Sequence, residues 1–240
     1  VGAALVVLLL LAGGGLVEHL PSAALAAIVI AAGLHLLDLP TMRWLMSVRR
    51  SEFVLSVAAT VGVVAVGVLE GIAIAVLLSL GNFIRRLWRP YDAVLGMVEG
   101  RTGYHDVARH PDADRVPGMM IYRFDAPLFF ANADYFARRL REGLAAAGPG
   151  AIERVVVVAE PMTDIDTTGA ETLTVVLDEL DEAGVSFAFA GLKGPVKDRL
   201  RRYGLFERVG EEDFYSTVEH AIDEYVTAAG IEWEDWTDWD

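Results

Sequence analysis

Hydrophobic and polar positions along this chain fall into two regimes. Four stretches of the first regime, Val1 to Val17, Pro21 to Leu37, Phe53 to Leu69 and Gly71 to Ile84, are nearly free of charge. A soluble core helix keeps a polar stripe at period 3.6, whereas Leu5 to Leu11 and Val61 to Leu69 are apolar all round, so the pattern predicts four membrane-spanning helices. At about 1.5 Å of rise per residue, such stretches reach ~26 Å at most, just under the ~30 Å hydrocarbon core. Glu18-His19-Leu20-Pro21-Ser22 predicts one interhelical turn. Glu70-Gly71 predicts another, because an unbroken helix from Phe53 to Ile84 would run about 48 Å.

Past Pro90 the pattern changes. Tyr91 to Pro117 has little periodicity and reads as a connector with one short strand around Ala93 to Val98. Three β-rich runs follow, Met119 to Phe124, Arg154 to Ala159 and Val185 to Ala190. The second contains Val155-Val156-Val157-Val158, the signature of a strand covered on both faces. Helical periodicity marks Asn132 to Ala147, Ala170 to Ala183, Pro195 to Tyr203 and Ser216 to Ala228. Strand and helix in alternation predict one α/β domain with a small, mainly parallel sheet. The predicted division is a transmembrane region over 1–90, a linker over 91–117, the α/β domain over 118–229 and a tail over 230–240.

Charge sharpens the division. The 240 residues carry a net charge of -14, yet the mean hydropathy is +0.39. Residues 1–90 hold four acids and six arginines, and the remaining 150 hold 30 acids and 14 bases. Arg43, Arg49 and Arg50 stand between the second and third stretches, and Arg85, Arg86 and Arg89 follow the fourth. The positive-inside rule puts both clusters, and everything after Pro90, in the cytoplasm. So acidic a surface excludes nucleic acid as a partner. With no cysteine there is no disulfide framework, thiolate zinc site or cysteine nucleophile. The basic residues include only two lysines, Lys193 and Lys197. That fits a high-salt cytoplasm and equally a GC-rich genome. The start at Val1, inside an apolar run, suggests the C-terminal piece of something longer.

Three motifs carry a resemblance. Glu70-Gly71-Ile72-Ala73-Ile74-Ala75-Val76-Leu77-Leu78-Ser79, Arg123-Phe124-Asp125-Ala126-Pro127-Leu128-Phe129-Phe130-Ala131-Asn132-Ala133 and Asp164-Ile165-Asp166-Thr167-Thr168-Gly169-Ala170 resemble the SulP family of anion transporters. That family ends in a cytoplasmic STAS domain similar to the bacterial anti-sigma-factor antagonists. The resemblance implies a secondary active transporter of sulfate or a related anion, working as a homodimer in the plasma membrane. It implies 14 spans in two inverted repeats, divided into a core and a gate. By position the four stretches here are the last four spans, one from the core and three from the gate. The family's anion and coupling-ion sites lie on spans absent from this stretch, so no substrate-binding residue is expected in it. Consistently, no predicted span contains a lysine or arginine to replace an anion's hydration. No cofactor, metal or catalytic residue is expected. The rival reading is a membrane-tethered STAS signalling module without transport activity.

Several residues remain as candidates. Asp164, Asp166, Thr167 and Thr168 stand where a strand gives way to a helix. Thr167 or Thr168 can cap that helix, with Glu171 as the capping-box partner of Thr168. Thr167 also matches the position of the phosphorylatable serine in the anti-sigma-factor antagonists. A phosphate there would meet a favourable helix N-terminus and two unfavourable aspartates. Lys193, Lys197, Arg199, Arg201 and Arg202 form the basic cluster of an acidic domain, open to pairing with its own acids or to contact with anionic lipid or a regulator. His105, Asp106 and His110 have no compact metal-ligand spacing. Glu18, His19, Asp38 and Glu70 sit at predicted span ends, as interfacial turns or coupling groups. His35 can pair with Asp38 or bond a helix carbonyl. The tail repeats Trp233, Trp236 and Trp239 among acids; its charge predicts disorder, and its tryptophans suit an apolar groove.

Overall fold

The computed structural model of the chain describes residues 2–12, 21–35 and 38–236. The turn expected around Glu18 and His19, the glycines 13–15 and the last tryptophan, Trp239, lie outside them. The chain divides into two compact units, Val1–Leu80 and Gly81–Asp240.

The first unit is helical: α1 (Gly2–Ala12), α2 (Ser22–His35), α3 (Leu39–Val48), α4 (Arg50–Ala65) and the start of α5 (Val68–Trp88). Two expectations are corrected. The segment carrying Arg43, between the second and third apolar stretches where no helix was predicted, is itself a helix. Asp38 caps it by accepting from the Thr41 amide at 3.1 Å, and a proline stands in its first turn. The second break falls at Val66-Gly67, and Glu70-Gly71 lies inside α5. Gly67 adopts φ +139°, open to glycine and costly for other residues, so it rather than the charged Glu70 ends the preceding helix. Within this hairpin Gly71 abuts the Val63 backbone so closely that a side chain could not fit. Among the described residues α5, with 21 residues, is long and apolar enough to cross a membrane, and a shorter apolar helix covers Ser22–Gly33. Val64, Leu69 and Leu77 are at least two-thirds exposed on these helices, an apolar surface that needs lipid or further helices to cover it.

The second unit is built on a six-stranded sheet in the order β2-β1-β3-β4-β5-β6. Its strands are β1 (Asp92–Met97), β2 (Tyr104–Asp106), β3 (Gly118–Phe124), β4 (Ile152–Val158), β5 (Ser186–Ala190) and β6 (Phe214–Tyr215). The pairs from β3 to β6 are parallel, and β1 pairs antiparallel with both β2 and β3. Residues 91–117, read as a connector with one strand, thus contribute two. β2 and β6 are too short, at three and two residues, to show a period in sequence.

Helices α6 (Ala133–Ala147), α7 (Thr167–Glu182), α8 (Gly194–Arg202) and α9 (Leu205–Val209) follow the crossover order, and α10 (Val218–Ala229) comes last. Phe124, Phe136, Leu140, Val155, Val157, Leu173 and Phe189 form one core. Ile121, Val156, Val158, Ala188, Ile222 and Tyr225 form a second. Val156 and Val158 face one core while Val155 and Val157 face the other, which is why the second half of β4 is apolar at four successive positions.

The tail departs from expectation. Ile231 and Trp233 pack against the second core, and Asp235 is buried at 2% exposure with the Tyr104 hydroxyl donating to its Oδ2. Burial of two apolar side chains, together with a neutral donor for the carboxylate, overcomes the charge that predicted disorder through this part of the tail.

Candidate functional site

The Asp164–Gly169 motif forms the crossing of two loops. Leu128 and Ile165 make an isolated parallel bridge, with the Leu128 amide donating to Asp164 O at 3.0 Å and the Asp166 amide to Leu128 O at 3.1 Å. Gly169 is required by this crossing, because a Cβ there would lie 2.6 Å from the Leu128 carbonyl oxygen. The neighbouring loop is pinned by Asn132, which is fully buried. Its Nδ2 donates to Pro127 O at 2.8 Å, and its Oδ1 accepts from the Phe129 amide at 2.9 Å. The sequence marked Asn132 as the start of a helix and as part of a family motif, without assigning its side chain a role.

The helix cap is Asp166 rather than either threonine. Its Oδ1 accepts from the Gly169 amide at 2.7 Å and its Oδ2 from the Phe130 amide at 2.9 Å. One carboxylate therefore caps α7 and ties the two loops together, a double role that a threonine hydroxyl could not fill. Thr167 and Thr168 occupy the first two helical positions and are exposed. Phe130, 72% exposed, stands on the same rim.

Asp164 is engaged rather than free. Its Oδ1 accepts from its neighbour's amide, Ile165 N, at 2.7 Å and from Arg199 Nη1. Arg201 pairs with Asp198 at 2.9 Å and lies 3.9 Å over the Phe206 ring, and Lys197 lies 5.3 Å from the Phe214 ring centroid. Three members of the basic cluster are thus spent inside the domain. Lys193 and Arg202 are exposed, with no ion pair among the described residues.

A buried cluster ties β1 to α6. Asp92, 5% exposed at its side chain, accepts from Tyr135 Oη at 2.6 Å, Arg139 Nε at 2.7 Å and Tyr122 Oη at 3.3 Å. Burial first, then the Asp92 charge, pushes the Tyr122 hydroxyl far above its usual value. The Glu142 and Asp92 hydrogen bonds raise the Arg139 guanidinium too. Nothing in the sequence distinguished Asp92 from the other acids, because its burial depends on register.

The same edge holds a second polar group. Tyr91 Oη donates to Asp106 Oδ2 at 2.6 Å, the Ala108 amide donates to Asp106 Oδ1 at 2.8 Å, and the His105 and His110 rings meet edge-to-face at 5.7 Å. Burial alone would raise the Asp106 carboxyl, but these hydrogen bonds and the charges of Arg109 and His110 hold it below its usual value. Among the described residues no three metal-ligating side chains converge.

Comparison with known proteins places these features. The Sulfate permease family profile matches residues 1–59, and the STAS domain profile matches residues 110–221. A probable sulfate transporter of Mycobacterium tuberculosis is 40% identical over 218 residues, covering 91% of this chain and 39% of that protein. High affinity sulfate transporter 2 of Stylosanthes hamata is 32% identical over 230 residues, covering 93% of this chain and 35% of the relative. The fold superimposes on murine Solute Carrier 26 family member A9, an anion transporter in the inward-facing state. The TM-score is 0.71 at 18% identity, covering 85% of this chain and 33% of that one. The chain thus spans well under half the length of these relatives.

Proposed function

We propose, from the premise that this chain belongs to the sulfate permease (SulP) family and carries its STAS domain, that it is the C-terminal part of a secondary active transporter of sulfate or a related anion. The observation that carries this reading is the order of parts. An apolar helical region matching the permease profile precedes a STAS domain on one chain, and 91% of the chain aligns with a probable sulfate transporter. A membrane-tethered module that never transports is disfavoured by that continuous match.

The protein resides in a membrane. The finer reading is that its apolar helices, α5 included, are the last four of 14 spans in the plasma membrane, three of them in the gate. The STAS domain then lies in the cytoplasm, a reading supported by the arginines at 85, 86 and 89 through the positive-inside rule. It regulates transport or supports a homodimer. The transported anion and the coupling ion bind on spans outside this sequence, and no catalytic step is assigned to any residue here. Thr167, exposed in the first turn of α7, is the proposed regulatory phosphosite. Thr168, Asp164 and Asp166 frame it. Within the basic cluster, Lys193 and Arg202 are the proposed contacts for lipid or a regulator, since Lys197, Arg199 and Arg201 are engaged within the domain.

A chimera tests the reading. Residues 1–240 replace the matching C-terminal part of the Mycobacterium tuberculosis relative, and uptake of labelled sulfate is measured in proteoliposomes. Saturable uptake is expected of the chimera and not of residues 1–240 alone. A chimera that inserts into the membrane yet stays at background, while the unaltered relative transports, overturns the proposal.

A further inference from the structure

Adjacent parallel strands that send their following helices to opposite faces of a sheet open a crevice beyond their carboxyl ends, where open α/β sheets hold their ligands. Strands β5 and β6 are such a pair. They run parallel. After β5, α8 packs Val196 and Leu200 into the first core, whereas α10, after β6, packs Ala221 and Ile222 into the second. A concavity of about 430 Å³ lies at that point, in the size range of small-molecule sites.

Its floor is apolar and its mouth carries charge of both signs. Val158 and Ala190, the buried last residues of β4 and β5, form the floor. Gly191 then turns the chain at φ +73°, so close to the neighbouring strand end that an added Cβ would stand 3.3 Å from the Glu160 Cβ. Lys193, Glu160 and Glu219 line the mouth with the exposed Ser216. Among the described residues none of these three charged side chains makes an ion pair, while Arg199, Arg201 and Arg208 of the same domain all do. Opposite charges that line one hollow without pairing leave room between them for a molecule bearing the complementary groups. One ammonium against two carboxylates sums to 1 − 2 = -1, so the complement has one carboxylate and two cationic groups.

We propose that this concavity binds a small cationic amino acid, of the lysine or arginine type, with its carboxylate on Lys193 and its two cationic groups on Glu160 and Glu219. The two glutamates repel an inorganic dianion or a phosphate-bearing ligand, so the chemistry differs from that of the transported anion. The net charge of -14 favours the approach of a cation to the chain. The proposal rests on the reading of Lys193 as a regulator contact and gives that regulator a chemical class; it does not depend on the transport reading.

The test titrates the whole chain in detergent micelles with L-lysine at neutral pH and constant, low ionic strength, followed by calorimetry. The expected result is saturable binding about tenfold or more tighter than that of L-alanine, which lacks the second cation, or of cadaverine, which lacks the carboxylate. The variant K193Q is expected to weaken L-lysine about tenfold and leave cadaverine unchanged. E160Q/E219Q is expected to remove the preference for L-lysine over L-alanine, and R202Q, outside the lining, binds as the parent does. Absence of saturable binding overturns the proposal. So does cadaverine binding as tightly as L-lysine, which is plain attraction to an acidic surface, or variants with the parent's affinities. Should a variant misfold, hydrogen exchange of the unaltered chain decides. Slowing by L-lysine but not by cadaverine in the segments 190–194 and 216–219 supports the site, and equal rates overturn it. If L-lysine fails to bind while K193Q still alters sulfate uptake by the chimera, the cationic amino acid is excluded and Lys193 keeps its regulatory role.

Discussion

Tyr104 on β2 donates its hydroxyl hydrogen to the carboxylate of Asp235, a residue 131 positions further along the chain. The contact fastens the C-terminal tail across the second core, beside the partly buried Trp233. A tail read as solvated acid therefore behaves as a structural strap. Removing residues 231–240 is expected to lower the stability of the second unit by about 1–3 kcal/mol through lost apolar burial, read from urea unfolding. A truncated chain of parental stability would show that the strap holds nothing.

Alkaline pH should loosen the same region. Burial first, then the Asp235 bond, raises the Tyr104 hydroxyl above its ordinary value, and Tyr122 is raised in the same direction. A group whose folded-state pKa is raised contributes stability that is fully present below the unfolded value of about 10 and is lost as pH rises beyond it. Stability is expected to fall above about pH 10 by roughly 1.4 kcal/mol per pH unit per tyrosine. Tyr91, Tyr135, Tyr215 and Tyr225 are raised as well, so Y104F removes one of several such contributions, and its melts against pH should be shallower than the parent's.

Asp92 is the most heavily bonded carboxylate of the β1–α6 contact. D92A strands two tyrosine hydroxyls and the Arg139 guanidinium. Arg139 is 37% exposed and regains some water, so the expected loss is about 2–3 kcal/mol rather than the larger cost of a fully buried pair. Y135F, which removes one donor, should cost about 1 kcal/mol. Chemical denaturation of both variants checks the order.

The two candidate caps of α7 separate cleanly. D166A removes the bonds to the Gly169 and Phe130 amides and is expected to cost about 1–2 kcal/mol. T168A should lie within about 0.5 kcal/mol of the parent, because Thr168 is an exposed helical residue. Reversal of that order would return the cap to the threonine.

Phosphorylation at Thr167 is tested in the full-length carrier. T167E is expected to change sulfate transport while T167A leaves the unmodified rate in place. Equal transport by both, together with an unmodified Thr167 peptide in mass spectrometry, removes the regulatory role.

Much of this protein was legible as pattern. Apolar runs without a polar stripe marked the membrane-associated half, and an uninterrupted valine run marked a strand covered on both sides. Helix ends near Ala147 and Gly184 followed from glycine and proline. These signals are local, repeating every two or 3.6 residues, so a linear reading captures them. What depended on tertiary structure was which polar groups meet. Sheet register buried Asp92 under Tyr135 and brought His105, His110 and Arg123 to the lining of one concavity. The crossing of two loops chose Asp166 over Thr168 as the cap, and the second core drew Trp233 and Asp235 out of solvent. The break between α4 and α5 went to Gly67 rather than to Glu70, because a positive φ ends a helix where a charged side chain need not. Such partnerships join residues far apart in the chain, and their energies depend on burial that no local period encodes.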